Sequence, residues 1–311
     1  MITRLEQMIE AAKAKSRKRI VAAYANDSHT IEAVYHAIEL GIVDGILVGD
    51  EPTIRKVCSD LNIDPGKFRI VQEADEQKAA HKAVELIVKG EGDILMKGLV
   101  STDKYMRAIL NKEAGLMPPK AVLSHVTVME NANYHKLMIV GDVAIIPAPD
   151  LDQKIAITNY LIKTAHALGI EKPKVALIAA TEQMLPGMPA CVDASIISKM
   201  ADRGQIKGAL VDGPLSLDTA IDKESAEIKK LKSEVAGDAD CILFPNIEAG
   251  NVFYKFNTKL AKGEQGALVV GARCPAVLSS RGDSALTKTY SIALAALRSE
   301  EHTSELQSRQ V

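Results

Sequence analysis

Between Cys274 and Lys288 the chain reads C-P-A-V-L-S-S-R-G-D-S-A-L-T-K. Pro275 to Ser279 is a short apolar run between Pro and Gly, which predicts a buried strand. From Ser284 to Leu297 apolar residues recur at helical spacing with no breaker. Ser280-Arg281-Gly282-Asp283 lies between the two. A strand, a tight turn with hydroxyls, and a helix N-terminus bring free N–H groups and the positive end of the helix dipole to one place. Arg281 adds a planar fork of donors. The chemistry suited to this segment is the holding of an oxyanion or phosphate, with Ser280 and Arg281 as ligands and Asp283 and Ser284 at the helix start. The alternative is local: Gly282 permits the turn and Asp283 only caps the helix.

Three further segments place polar residues just past predicted strand ends. Met96-Lys97-Gly98-Leu99-Val100-Ser101-Thr102 brings Lys97 out of an apolar strand and sets Ser101 and Thr102 at a helix start, with Arg107 one turn on. A phosphate or carboxylate fits there; so does an N-cap beside a solvated lysine. In Asp212-Gly213-Pro214-Leu215-Ser216 the turn-shaping role of Asp212 is favoured. Asn246 and Asn251, in F-P-N-I-E-A-G-N, either offer amide donors to a ligand oxygen or cap a helix. Cys274 lacks an assignable histidine base and reads as a buried hydrophobe. Asp27, His29 and His125 read as capping or core residues.

The elements that must position these groups alternate. Strands are expected at Lys18–Tyr24, Asp44–Val48, Phe68–Val71 and Asp93–Lys97, separated by helices over His29–Leu40, Glu51–Leu61 and Asp75–Lys89. Such alternation predicts a parallel sheet covered on both faces. From Lys120 the rhythm changes: two strands, Ala121–Met129 and His135–Val140, suggest a hairpin, and Val143–Ile146 continues as a strand. After Pro147-Ala-Pro149-Asp150 the alternation resumes. Strands are expected at Lys174–Ala180, Ile206–Val211, Cys241–Phe244 and Ala267–Val270; helices at Leu151–Leu168, Pro189–Arg203, Asp218–Ala236 and Glu248–Ala261. This predicts two α/β domains with a cleft between them, 1–146 plus 275–297 and 147–274. Ligands of such folds bind at the carboxyl ends of the strands.

The 311 residues carry a net charge of -2 with 4% aromatics, which argues against nucleic acid as a partner. A mean hydropathy of +0.03 and the absence of a long apolar run exclude a helical membrane span. The opening M-I-T-R-L-E-Q-M-I-E is too charged for a secretory signal, so R-G-D is read as a chance match to an adhesion triplet. Four scattered cysteines fit a reducing cytoplasm and give no metal spacing. Arg298 to Ser308 resembles a reading frame of a sequencing-library adapter, so 298–311 is read as an artefactual tail.

Taken together, M-K-G-L-V-S-T, D-G-P-L-S-L-D, F-P-N-I-E-A-G-N and S-R-G-D-S resemble the phosphate acetyl/butyryltransferase family, in family order and across Met1 to Leu297. P-A-V-L-S-S-R-G-D-S with S-I-A-L-A is most similar to the butyryltransferase branch. The resemblance implies an isocitrate/isopropylmalate dehydrogenase-like fold, a homodimer or higher homo-oligomer, and reversible acyl transfer between coenzyme A and inorganic phosphate by way of an acyl phosphate. Coenzyme A is then a substrate, and no cofactor or metal is implied. It also implies that Ser280 and Arg281 hold the phosphate, that Ser101 of the Ser101–Thr102 pair meets the reacting carbonyl, and that Arg107 is the arginine on the following helix. Thr287 stands where the acetyltransferase branch has an Asp proposed as base for the thiol. Alternatives are phosphate acetyltransferase activity, a CoA- or phosphate-binding homologue without catalysis, and a metal-dependent dehydrogenase of the related fold. The last would need converging carboxylates that the Asn246–Glu248 segment lacks.

Overall fold

The computed structural model describes residues 1–278 and 283–308, with side chains to 299 in the last helix. Chain contacts divide it into two units, 6–123 with 266–311, and 124–265 with Met1–Leu5.

The first unit opens with α1 (Leu5–Lys13), β1 (Lys18–Ala23), α2 (Ser28–Glu39), β2 (Val43–Gly49), α3 (Glu51–Asp60), β3 (Phe68–Gln72), α4 (Glu76–Val88), β4 (Ile94–Lys97) and α5 (Thr102–Leu110). The second contains β5 (Ser124–Glu130), β6 (Met138–Gly141), α6 (Leu151–Ala167), β7 (Lys174–Ile178), α7 (Pro189–Asp202), β8 (Leu210–Leu215), α8 (Leu217–Ile221), α9 (Lys223–Ile228), β9 (Cys241–Leu243) and α10 (Ile247–Lys255). The chain then returns to the first unit through β10 (Glu264–Val270), β11 (Ala276–Val277) and α11 (Ala285–Ser308).

Helix starts follow side-chain capping. Asp27, Asp50 and Asp75 each accept an N–H from the first turn of α2, α3 and α4, offsetting donors that a helix leaves unpaired. The first unit's sheet runs β3-β2-β1-β4-β11-β10, parallel except for β10–β11. Its central strands read as apolar runs because both faces are covered: Ile20, Val21, Leu47, Ile94, Leu95 and Met96 are all buried. Helix α11 packs against α2, β11 and β4.

The second unit's strands run β5-β6-β9-β7-β8, antiparallel only between β5 and β6. Its core joins Met129, Met138, Val140, Leu215, Ile242 and Phe244.

Several boundaries differ from the sequence expectation. Contacts place the division at Leu123/Ser124 and Gln265/Gly266, not at 146/147 and 274/275, because the β5–β6 hairpin pairs with β9. Val143–Ile146 is not a strand. The Asp142 carboxylate accepts the N–H groups of Ala144, Ile145 and Ile146 and folds that apolar run into a turn. The strand expected at Ile206–Val211 lies at Leu210–Leu215 and runs through Gly213-Pro214. Strand β8 is at the sheet edge, where a proline's missing N–H is tolerated. The long helix expected over Asp218–Ala236 is two short ones, since Asp222 is extended and caps α9 through Ser225.

Candidate active site

In the first unit Lys97, Ser101 and Thr102 lie at the carboxyl end of β4, which pairs with β11. These strands are parallel, with Ala276 opposite Leu95 and Val277 opposite Met96. The chain leaving β11 therefore starts from the same end of the sheet as Lys97 and Gly98. Ser280 and Arg281 lie outside the described residues. Leu278 lies before them in the chain and Asp283 and Ser284 after them. Ser284 caps α11: its hydroxyl accepts the Thr287 N–H at 3.0 Å and meets the Thr287 hydroxyl at 3.0 Å.

Lys97 is 9% exposed, and its ammonium donates to the Gly98 carbonyl at 3.2 Å. Gly98 has no room for a side chain: an added Cβ would come within 2.6 Å of the Ala23 and Tyr24 carbonyl oxygens. The close passage lets Gly98 and Leu99 donate to those same carbonyls, at 3.0 and 2.8 Å, and so fixes the turn that delivers Ser101. Ser101 caps α5, its hydroxyl accepting the Lys104 N–H at 3.4 Å. Among the described residues the N–H groups of Thr102 and Asp103 have no partner, so they stay open to an anion at the positive end of the helix. Arg107 points elsewhere: its side chain is 75% exposed and pairs with Asp103 at 3.1 Å.

Glu76 and Lys104 escaped the sequence reading. The Glu76 carboxylate accepts the Ser101 N–H at 2.7 Å and pairs with the Lys104 ammonium. The Lys104 hydrogen bond, then the Ser101 N–H, holds the Glu76 carboxyl below its ordinary range. This buttress neutralises a negative charge beside the anion-ready turn. Asp75, the α4 cap, was the available signal, since it places Glu76 in a helix's first turn.

In the second unit, Asn246 caps α10 by accepting the Ala249 N–H at 3.0 Å, and Asn251 donates to the Val143 carbonyl at 3.0 Å. The turn beneath α10 hangs on Asp142. Its carboxylate, 2% exposed, also accepts the Ser124 hydroxyl at 2.8 Å and the His125 N–H at 3.1 Å. Gly250 is obligatory there, because an added Cβ would lie 2.4 Å from the Asp142 carbonyl oxygen.

A second buttress joins the ends of β7 and β8. Glu182 accepts the Ser216 N–H and hydroxyl, the Thr219 hydroxyl at 2.9 Å and the Lys229 ammonium at 3.1 Å. Burial alone would raise the Glu182 carboxyl, but hydrogen bonds from Ser216, Lys229 and Thr219 prevail and hold it at about 2. Asp212 lies inside β8 rather than at its end and accepts its neighbour's N–H at Gly213.

Cys274 is 6% exposed and burial pushes its thiol up to about 12, so it supplies no thiolate for nucleophilic attack. Asp27 caps α2, and His125 lies buried in β5 within 3.3 Å of the Thr127 hydroxyl. Among the described residues no three His, Cys, Asp or Glu side chains gather to hold a metal. Among them, too, no helix is long and apolar enough to cross a membrane.

The family profile described as "Phosphate acetyl/butaryl transferase" matches residues 4–81 and 72–296. The chain belongs to that family. It is 48% identical to the phosphate butyryltransferase of Clostridium acetobutylicum over 297 residues, 96% of this chain and 98% of that one. It is 40% identical to the phosphate acetyltransferase of Thermotoga maritima, across 94% of this chain and 99% of the relative. Among solved structures it resembles a branched-chain phosphotransacylase from Enterococcus faecalis V583, with a TM-score of 0.78 and 29% identity over 91% of this chain and 99% of that one. The family is one of transferases, and the mixed α/β fold of this chain is shared with a phosphotransacylase.

Proposed function

We propose that the protein catalyses reversible acyl transfer between coenzyme A and inorganic phosphate, with butyryl-CoA plus phosphate giving butyryl phosphate plus CoA. The observation that carries this reading is the near full-length 48% identity to a phosphate butyryltransferase. The β4–α5 turn supports it, with two open N–H groups at a helix start beside a buried lysine.

In this reading a phosphate oxygen attacks the thioester carbonyl, the tetrahedral intermediate collapses, and the C–S bond breaks to release CoA thiolate, which takes a proton from solvent. Phosphate is already anionic and thiolate is a workable leaving group, so the step balances without a redox partner. What remains is positioning and charge stabilisation. Ser101 and the Thr102 N–H stand at the carbonyl whose oxygen becomes negative. Lys97 adds positive charge below it. Ser280 and Arg281 hold the phosphate, with Asp283 and Ser284 framing them at the start of α11. The motif resemblance makes Asn246, Asn251 and Arg107 further substrate ligands; to serve as one, Arg107 would have to leave its pair with Asp103. In the reverse direction the thiol must ionise; from a free-thiol pKa of ~8.5, a neighbouring cation supplies enough help. Thr287 itself offers no base.

The same proposal gives the protein two α/β domains of the isocitrate/isopropylmalate dehydrogenase type, in a cytoplasmic homodimer or higher homo-oligomer. Support for these points comes from the motif resemblance set out above.

The test is thiol release with phosphate and acetyl-, propionyl- or butyryl-CoA in parallel, using Met1–Val311 and a chain ending at Leu297. Phosphate-dependent release fastest with butyryl-CoA is expected. Each methylene removed costs about 1–3 kcal/mol of discrimination. Release fastest with acetyl-CoA moves the assignment to the acetyltransferase branch. No release from folded protein removes the catalytic reading.

A further inference from the structure

We infer that Glu76 is a positioning residue for the transfer step, an inference that rests on the acyl-transfer reading above. Its carboxylate, balanced by Lys104, holds Ser101 so that the serine hydroxyl can donate to the carbonyl oxygen that becomes negative.

The contacts close a ring. The Ser101 N–H donates to one Glu76 oxygen at 2.7 Å, and the Lys104 ammonium donates to the other. The Lys104 backbone N–H returns to the Ser101 hydroxyl oxygen at 3.4 Å. Glu76 therefore grips α5 at the backbone of its cap and at a side chain three residues on. Ser101 is held twice, its backbone by Glu76 and its side chain by the capping bond. In that bond the hydroxyl accepts, and among the described residues nothing takes its proton. An oriented O–H with its proton unused can meet a developing oxyanion without reorganising.

The charge of the ring matters as much as its geometry. Glu76 stands in the first turn of α4, which packs against α5, so the positive starts of two helices share one carboxylate. Left alone, that carboxylate would oppose negative charge forming beside Ser101. Lys104 cancels the opposition and leaves the grip intact. The same bond holds the Glu76 carboxyl below its ordinary range and the Lys104 ammonium above its own, so both stay charged. Glu85, on the same helix, offers a contrast. It pairs with Lys82 and Lys89, yet among the described residues it accepts no backbone N–H and so positions nothing.

The experiment compares the unmodified protein with Glu76→Ala, Lys104→Met, the double variant Glu76→Gln/Lys104→Met, and Glu85→Gln as a control. Each is assayed for thiol release with phosphate and the acyl-CoA that the unmodified protein turns over fastest, and for melting temperature. Glu76→Ala frees the start of α5 and should lower kcat about tenfold or more, with the KM for phosphate within about twofold. Its melting temperature should stay within about 2 °C, because the released groups are partly exposed and water can take them. Lys104→Met leaves the carboxylate uncompensated and should lower kcat about fivefold. In the double variant neither position is charged, and the glutamine carbonyl can still accept the Ser101 N–H. Its kcat should return to within about twofold of the unmodified protein. Glu85→Gln should change nothing. If Glu76→Ala does not fold, Glu76→Asp, too short to reach Ser101 and Lys104 together, is judged by the same criteria.

A kcat for Glu76→Ala within about twofold of the unmodified value overturns the inference and leaves the acyl-transfer reading standing. A double variant no faster than Lys104→Met overturns it too. So does a loss of kcat accompanied by a melting temperature lowered by more than about 5 °C, which would make Glu76 a support of the fold alone. If the unmodified protein releases no thiol with any of the three acyl-CoA substrates, the acyl-transfer reading falls and this inference with it.

Discussion

Replacing Asp142 should damage the second unit more than any single exposed charge could. Its carboxylate accepts from the Ser124 hydroxyl and from the N–H groups of His125, Ala144, Ile145 and Ile146. In Asp142→Ala the last three donors lie in a partly exposed turn and can recruit water. Ser124 and His125 are buried and cannot. Stranding a buried donor costs about 1–3 kcal/mol, so the two together give roughly 2–5 kcal/mol once partial relaxation is allowed. For a unit of this size each kcal/mol moves the midpoint by about 2–4 °C, so calorimetry should find the second unit's transition lowered by roughly 4–20 °C. Asp142→Asn should fall nearly as far, since its NH2 group faces donors where the carboxylate had accepted. Ser124→Ala removes one donor along with its need and should cost only about 1 kcal/mol. A shift below about 2 °C for Asp142→Ala would refute the view that this carboxylate organises the turn beneath α10.

Three other outcomes follow from the geometry. Gly98→Ala forces a Cβ within 2.6 Å of two backbone carbonyls and should lower thiol release at least about tenfold by displacing Ser101, with kcat falling more than the KM for phosphate rises. The four cysteines are all buried, so folded protein should give almost no fast reaction with a disulfide reagent until denaturant is added, and Cys274→Ala should keep its turnover. Glu182 titrates at about 2 in the folded state against an ordinary value near 4.5. A depressed carboxyl contributes stability above its unfolded pKa and loses it as pH falls toward the folded one. Glu182→Gln should therefore flatten the stability loss between pH ~4.5 and ~2, by at most about 2–3 kcal/mol, while leaving the slope above pH 6 unchanged.

The alternation of strand and helix was legible because each half of it is local. Apolar runs bounded by Gly mark β2 and β4, and an aspartate marks the start of α2, α3, α4 and α6. Ser101 as a cap and Lys97 at a strand end could be read the same way. What the sequence hid depends on partners far along the chain. Glu76 is defined by Ser101 and Lys104, and Glu182 by Ser216, Thr219 and Lys229, which no local pattern announces. Val143–Ile146 has a strand's composition, yet one buried carboxylate claims its N–H groups and bends it. Gly213-Pro214 looks like the end of a strand and instead lies within one, because the edge of a sheet forgives a missing donor.

The pairing of β4 with β11 has a consequence for biosynthesis. The two strands are separated by the entire second unit, so on the ribosome β4 emerges long before the strand it must pair with. The uninterrupted stretch 124–265 can reach its own core first, while the first unit waits with one flank of β4 uncovered. Closing so long a loop is slow, and an uncovered strand flank invites association with other chains. On the acyl-transfer reading, phosphate binding is therefore among the last properties the nascent chain acquires. On that reading phosphate binds only once β4 and β11 have paired and should draw late folding intermediates toward the native state.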